Sequence, residues 1–345
     1  MHTPASPARA PFARLAARWN PPPRTVRRAT TTALVMAVVI VVTGGAVRLT
    51  GSGLGCPTWP SCTDTSLTTT AAMGWRGAIE FGNRLLAYVL AAAVGWIILA
   101  ARCTQPARPD VLRLGWGQFA LVVANALLGG ITVLTGLNPY TVAGHFLLST
   151  ALITLAYLAR SRTAPAPVAV SDQPSCALAR ALLTACALLI AAGTVVTGTG
   201  PHAGDSGDVA RIPLDWTLVT RVHSALAWTV LILAVLLHTR LRRTGAPHVT
   251  LRRTRLLLAV LVAQGAVGYL QSALGLPELL VGVHMLGSCL MWIAALHAAA
   301  WLTTAVGPGV RENGGAAACT SASSRLLDQS TAGGLDKGAE RVGGS

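Results

Sequence analysis

The chain has 345 residues, 52% hydrophobic and only 11% charged, with a mean hydropathy of +0.56. That excludes an ordinary soluble domain and requires a bilayer. The net charge of +15 suggests nucleic acid at first sight, but the placement of the basic residues argues against it. In chain order, residues 1–28 are rich in Pro, Ala and Arg and read as a disordered segment. Apolar stretches of about 20 to 25 residues, enough to cross the hydrocarbon core, then start near Thr31, Glu80, Leu112, Thr141, Leu178, Trp216, Thr254 and Glu278. Residues 307–345 form a tail rich in Gly, Ser and Ala without helical periodicity.

With the N-terminus in the cytoplasm, the N-terminal segment, the tail and the loops joining spans 2–3, 4–5 and 6–7 hold 22 of the 27 Lys and Arg. Only Arg48, Arg76, Arg84, Arg211 and Arg221 fall at the outer boundary. This asymmetry sets topology, so a multi-pass plasma-membrane protein with both termini cytoplasmic is expected. Its basic inner face lies against membrane lipid, and no nucleic acid is involved.

The halves match each other. Val142-Ala-Gly-His145 falls on Val281-Gly-Val-His284 and Gly136-Leu137 on Gly275-Leu276, both at an offset of 139; Asn125 lands on Gln264. An offset of 140 brings Asn83 onto His223. The predicted fold is therefore all-α and integral to the membrane. Eight transmembrane helices form two pseudo-symmetric four-helix bundles, residues 29–160 and 178–306, joined by a cytoplasmic linker, 161–177. Asn125 and Gln264 read as polar contacts between helices.

His145, His223 and His284 share one depth near the outer ends of spans 4, 6 and 8. A single intramembrane histidine can simply bond a neighbouring helix. His223 and His284, on facing helices of one repeat, instead suit the two axial positions of a haem iron, whereas a zinc ion wants about four clustered ligands. In the first repeat Asn83 stands opposite His145. Asparagine is a poor iron ligand, so His145 alone leaves one face of a haem open for oxygen chemistry. The second repeat is read as holding a cofactor haem and the first a substrate haem.

Glu80 lies one turn before Asn83 and points at the same site as a proton relay or charge stabiliser; the alternative is an ion pair with Arg84. Cys56 and Cys62, on the oxidising side, are a disulfide or two free thiols, and their spacing fits no usual zinc pattern. Cys103, Cys176, Cys186, Cys289 and Cys319 are expected to be unpaired. Arg48, Arg84 and Arg221, cations on the wrong side of the charge bias, are candidate propionate anchors with lipid headgroups as the alternative. His202 is a further candidate at the outer mouth. His2, His238, His248 and His297 are expected to be bystanders.

The run Thr43-Gly-Gly-Ala-Val-Arg48-Leu-Thr-Gly-Ser-Gly-Leu-Gly-Cys56-Pro-Thr-Trp-Pro-Ser-Cys62 is followed by Ile79-Glu80-Phe-Gly-Asn83-Arg84, Gly144-His145, Arg221-Val-His223 and Val283-His284-Met-Leu. Together, over about residues 31–306, these motifs resemble the haem A synthase family. The resemblance implies oxidation of a ring methyl of haem o to a formyl, through a hydroxymethyl stage, for haem-a-type terminal oxidases. It also implies haem b iron in the C-terminal half, an essential glutamate at Glu80 and a disulfide between Cys56 and Cys62. Expected partners are haem o, an electron donor of unknown identity, haem o synthase and further copies of the chain. The family commonly has histidine where this chain has Asn83. A bis-histidine electron-transfer cytochrome accounts for His223 and His284 equally well but leaves Glu80 and the cysteine loop unexplained. A transporter predicts broken helices and mid-membrane charge, which the sequence lacks.

Overall fold

The computed structural model describes residues 18–165, 172–205 and 207–300. His2, Cys319 and the tail from 307 lie outside the described residues. Eight long helices account for most of what is described: α1 (Pro23–Leu49), α2 (Gly74–Cys103), α3 (Pro109–Leu134), α4 (Pro139–Arg162), α5 (Gln173–Thr199), α6 (Trp216–Arg243), α7 (His248–Ala273) and α8 (Glu278–Ala298). Each is long and apolar enough to span a bilayer, where a helix satisfies its own backbone groups. Most begin before the apolar run does. Proline at the first turn starts α1, α3 and α4, and the side chains of Asn138, Asp172 and Asp215 cap α4, α5 and α6. The polar first turns therefore belong to the helices although they fall outside any hydropathy window.

α1 touches α2 and α4, and α3 touches the same two helices, which closes a ring of four; α5 to α8 close another ring in the same way. Buried side chains gather accordingly. One cluster centres on Val26, Ala33, Leu90, Ile97 and Ile153, the other on Leu182, Leu237, Leu257 and Ala295. The rings meet where α1 packs on α8 and α4 on α5 and α8. There Gly45 leaves room for Met285, and Trp292 Nε1 donates to Thr154 Oγ1 at 2.8 Å.

The α3–α4 and α7–α8 turns have one shape. Gly136 and Leu137 have φ of 61° and 61°, Gly275 and Leu276 75° and 63°. In each turn the leucine N–H returns to a carbonyl of the last helical turn, Leu137 to Thr132 and Leu276 to Gln271. A leucine in left-handed backbone costs about 1 kcal/mol, and both turns bear it. Asn125 and Gln264 bridge helices as expected: Asn125 Oδ1 accepts from Ser149 at 2.9 Å, and Gln264 Nε2 donates to the His284 carbonyl at 2.9 Å.

Candidate haem sites beneath the disulfide-bearing end

His145, His223 and His284 stand six, seven and six residues from the N-terminal ends of α4, α6 and α8. At 1.5 Å per residue this is about 9 to 10 Å of depth. Each ring lies with its Cε1–Nδ1 edge against a glycine of the preceding helix. A Cβ added to Gly129 would sit 3.2 Å from His145 Cε1, one on Gly193 3.2 Å from His223 Cε1, and one on Gly268 3.3 Å from His284 Cε1. Gly44 holds the corresponding place beside Asn83, whose Nδ2 is 3.7 Å from the added atom. The four glycines stand five, five, six and five residues from the C-terminal ends of α1, α3, α5 and α7. Sequence reading missed them. The signal was the 16-residue gap that both Gly129–His145 and Gly268–His284 share.

All three Nδ1 atoms are buried without a hydrogen bond. The backbones of Asn125 and Leu189, four residues before the facing glycines, lie beside the His145 and His223 rings. The Nε2 atoms have no partner among the described residues either, and they are not sealed in. An imidazole held by one edge, its other nitrogen uncommitted, is the arrangement an axial iron ligand needs. His223 and His284 are close enough for charge on one to be felt at the other. Among the described residues no three His, Cys, Asp or Glu side chains converge on a point. The donor set thus fits a porphyrin, which brings its own four nitrogens, better than a bare metal ion. Asn83 differs from the histidines in being anchored: its Oδ1 accepts from Thr43 Oγ1 at 2.7 Å.

Over this end lies the first loop. Cys56 and Cys62 form a disulfide, and Trp59 between them packs against Gly130, the neighbour of Gly129, with ring atoms 2.5–2.8 Å from where a Cβ would be. Arg84 holds the loop from below, donating to the carbonyls of Thr58, Ser61 and Cys56 at 2.9–3.0 Å and to Glu80 Oε1 at 2.6 Å. Glu80 is 5% exposed. Its Oε2 accepts from the Cys56 N–H at 2.6 Å, so the acid joins the loop to α2, and the ion pair with Arg84 is present.

The loops of the two halves dock. Gly53 N–H donates to Gly204 O at 2.8 Å, and Ser52 pairs with Asp205 in an isolated bridge, which sets Asp205 within electrostatic reach of Glu80. Arg48 Nε donates to His202 O at 2.7 Å and Nη2 to Thr197 O at 2.9 Å; Arg211 shares that carbonyl at 3.0 Å. Burial pulls the Arg211 guanidinium below its usual range, and neither arginine has an ion-pair partner among the described residues. Arg211, placed at the outer boundary from sequence, was not among the candidate anchors. Arg221 is exposed and has no hydrogen-bond partner among the described residues. His202 Nε2 is 2.9 Å from Leu276 O. Of the expected bystanders, His238 bonds Thr254 and His297 bonds Tyr157. Cys103, Cys186 and Cys289 are free and buried, but Cys176 is disulfide-bonded. The expectation of a free thiol there is corrected: pairing depends on where the fold brings a sulfur, which residue spacing does not reveal.

The family model for cytochrome oxidase assembly proteins (COX15-CtaA) matches residues 27–296. The chain belongs to the haem A synthase family. Similar relatives are the heme A synthases of Geobacillus kaustophilus, 35% identical over 136 residues, and Geobacillus thermodenitrificans, 34% over 137. These alignments cover 38% and 37% of this chain and 41% of each relative. The heme A synthase of Azorhizobium caulinodans is 28% identical over 342 residues, spanning 82% of this chain and 95% of that protein. The family match takes in all eight helices apart from the outermost residues of α1 and α8, and with them every site residue named above.

Proposed function

We propose that the chain is a haem A synthase of the plasma membrane, with the disulfide-bearing end outside and both termini in the cytoplasm. It oxidises a ring methyl of haem o through hydroxymethyl to formyl. His223 and His284 hold a resident haem b in the second half, and His145 receives haem o in the first. The observation that carries this reading is the set of three imidazoles at one depth, each seated on a glycine with an orphaned Nδ1, and an asparagine at the fourth station. Iron porphyrin, when bound, supplies electron transfer in one half and oxygen chemistry in the other.

The chain's own residues position and shield. His145 fixes the substrate from one face, while Asn83, tied to Thr43, leaves the opposite face without an imidazole. Trp59 and the bridged loop cover the site and exclude water. Glu80, with one oxygen on Cys56 N–H and the other on Arg84, is a buried carboxylate that stabilises positive charge or relays a proton. Arg221 is free to fork onto a propionate. Arg48 and Arg211 share one carbonyl without a counter-ion and suit the same anion. Arg84 has spent four of its five donors on the loop and Glu80, so only Nε–H remains for that role.

Expression in cells supplied with haem o, followed by pigment extraction and mass analysis, is expected to yield hydroxymethyl and formyl haem. Glu80→Gln keeps one acceptor, enough for the Cys56 N–H, and gives up the charged contact with Arg84; normal haem content with no formyl product is expected. Full product from Glu80→Gln would remove Glu80 from the chemistry. A wild-type protein that binds haem yet never modifies haem o would be an electron-transfer cytochrome instead.

A further inference from the structure

At the opposite, basic end, an open cavity of about 460 Å³ is lined by Arg24, Arg27 and Arg28 at the start of α1, Thr31 and Thr32 one turn on, and Arg160 at the end of α4. Four guanidiniums surround it, and Arg160 lies near enough to Arg27 to feel its charge. No group among the described residues accepts a hydrogen bond from Arg24, Arg27 or Arg28, and Arg160 reaches only Thr163 Oγ1, at 3.4 Å. The acids cannot serve. At this end of the described chain only Asp110 and Asp172 are available, and each is already paired, with Arg108 and Arg240.

The start of α1 adds to the imbalance. Its N-cap is Pro22, which offers no capping side chain, and its first turn holds no acid. Arginines there face the positive end of the helix dipole, a cost that a bound anion reverses.

We propose that this cavity binds a phosphate group, and that its source is the headgroup of an anionic phospholipid of the cytoplasmic leaflet, phosphatidylglycerol or diphosphatidylglycerol. Guanidinium forks match phosphate oxygens in pairs, and the Thr32 hydroxyl offers one more donor, the Thr31 hydroxyl being given to the Arg27 carbonyl at 2.8 Å. The cavity sits where the apolar stretch of α1 begins, at headgroup level, and basic pockets between spans at the cytoplasmic face are built for such lipids. The lipid would pin α1 to α4 at the base of the first half. The proposal rests on the cytoplasmic placement of the termini, not on haem chemistry.

The test is native mass spectrometry of the full-length protein, titrated with phosphatidylglycerol, diphosphatidylglycerol or phosphatidylcholine. One anionic lipid is expected to survive delipidation where phosphatidylcholine does not. Arg27→Gln with Arg160→Gln is expected to weaken it about ten-fold, the loss of two charge-assisted contacts. Arg242→Gln with Arg243→Gln, an equal charge loss on the same face at the end of α6, is expected to leave it unchanged. Equal loss in both variants would reduce the site to diffuse attraction and overturn the proposal. Displacement of the lipid by micromolar inorganic pyrophosphate would overturn the lipid as source. Tighter lipid binding after neutralising Glu312, Asp328, Asp336 and Glu340 together would show the tail to be the occupant, which also overturns it. Unchanged haem content in every variant keeps these outcomes separate from the enzymatic reading.

Discussion

A histidine inside a bilayer needs space for its ring and a use for its nitrogens, and in this chain neighbours supply the space while the nitrogens stay uncommitted. The space comes from Gly129, Gly193 and Gly268, where a Cβ would press to 3.2–3.3 Å of the ring. Gly193→Val is therefore expected to push His223 aside and lower the haem content of the purified protein to less than half, read by pyridine haemochrome. Gly82→Val, at a glycine whose added Cβ meets nothing within 4 Å, should not. Asn83 makes the opposite case. Asn83→His puts a second imidazole opposite His145 and should convert the haem of the first half to a six-coordinate, low-spin form by EPR. The histidines were legible in the sequence because polar side chains stand out in apolar runs. The glycines were not, since glycine is common in membrane helices and only a facing ring gives one of them a purpose. Thr43, too, is a common residue whose bond to Asn83 becomes visible only when α1 lies beside α2.

Among the elements, the disulfide loop is where sequence and structure differ most in what they show. The placement of basic residues led to an expected side of the membrane and the resemblance implied the bridge, but neither indicated that Arg84 and Glu80 are its foundations or that Trp59 is its contact with α3. The bridge closes a loop of about seven residues, and the chain-entropy estimate gives it about 2 kcal/mol. Cys56→Ser with Cys62→Ser is expected to lower the thermal transition in detergent and to raise proteolysis of the loop. Trp59→Ala should keep the bridge and the fold but admit water to the first half, seen as faster exchange of α3 amides near Gly130. The Gly-Leu turns teach a related lesson. Their match at a fixed offset was readable, but a leucine at positive φ runs against local preference, and only the shared turn geometry accounts for it.

For the whole molecule, the eight spans followed from hydropathy because the bilayer leaves the backbone few choices. How the halves join did not. Arg48 belongs to α1 and reaches the carbonyls of His202 and Thr197 in the second half; a charged hydrogen bond of this kind is worth about 2 kcal/mol. Arg48→Met is expected to lower the thermal transition and to loosen the docked loops, measured by accessibility of a cysteine placed at Ser52. The central claim, two unlike haem sites in one chain, is tested most directly by visible and EPR spectra of the full-length protein from haem-replete cells. The account predicts a six-coordinate low-spin haem that persists in His145→Ala and disappears in both His223→Ala and His284→Ala. A colourless wild-type protein, or the same loss in all three variants, would contradict it.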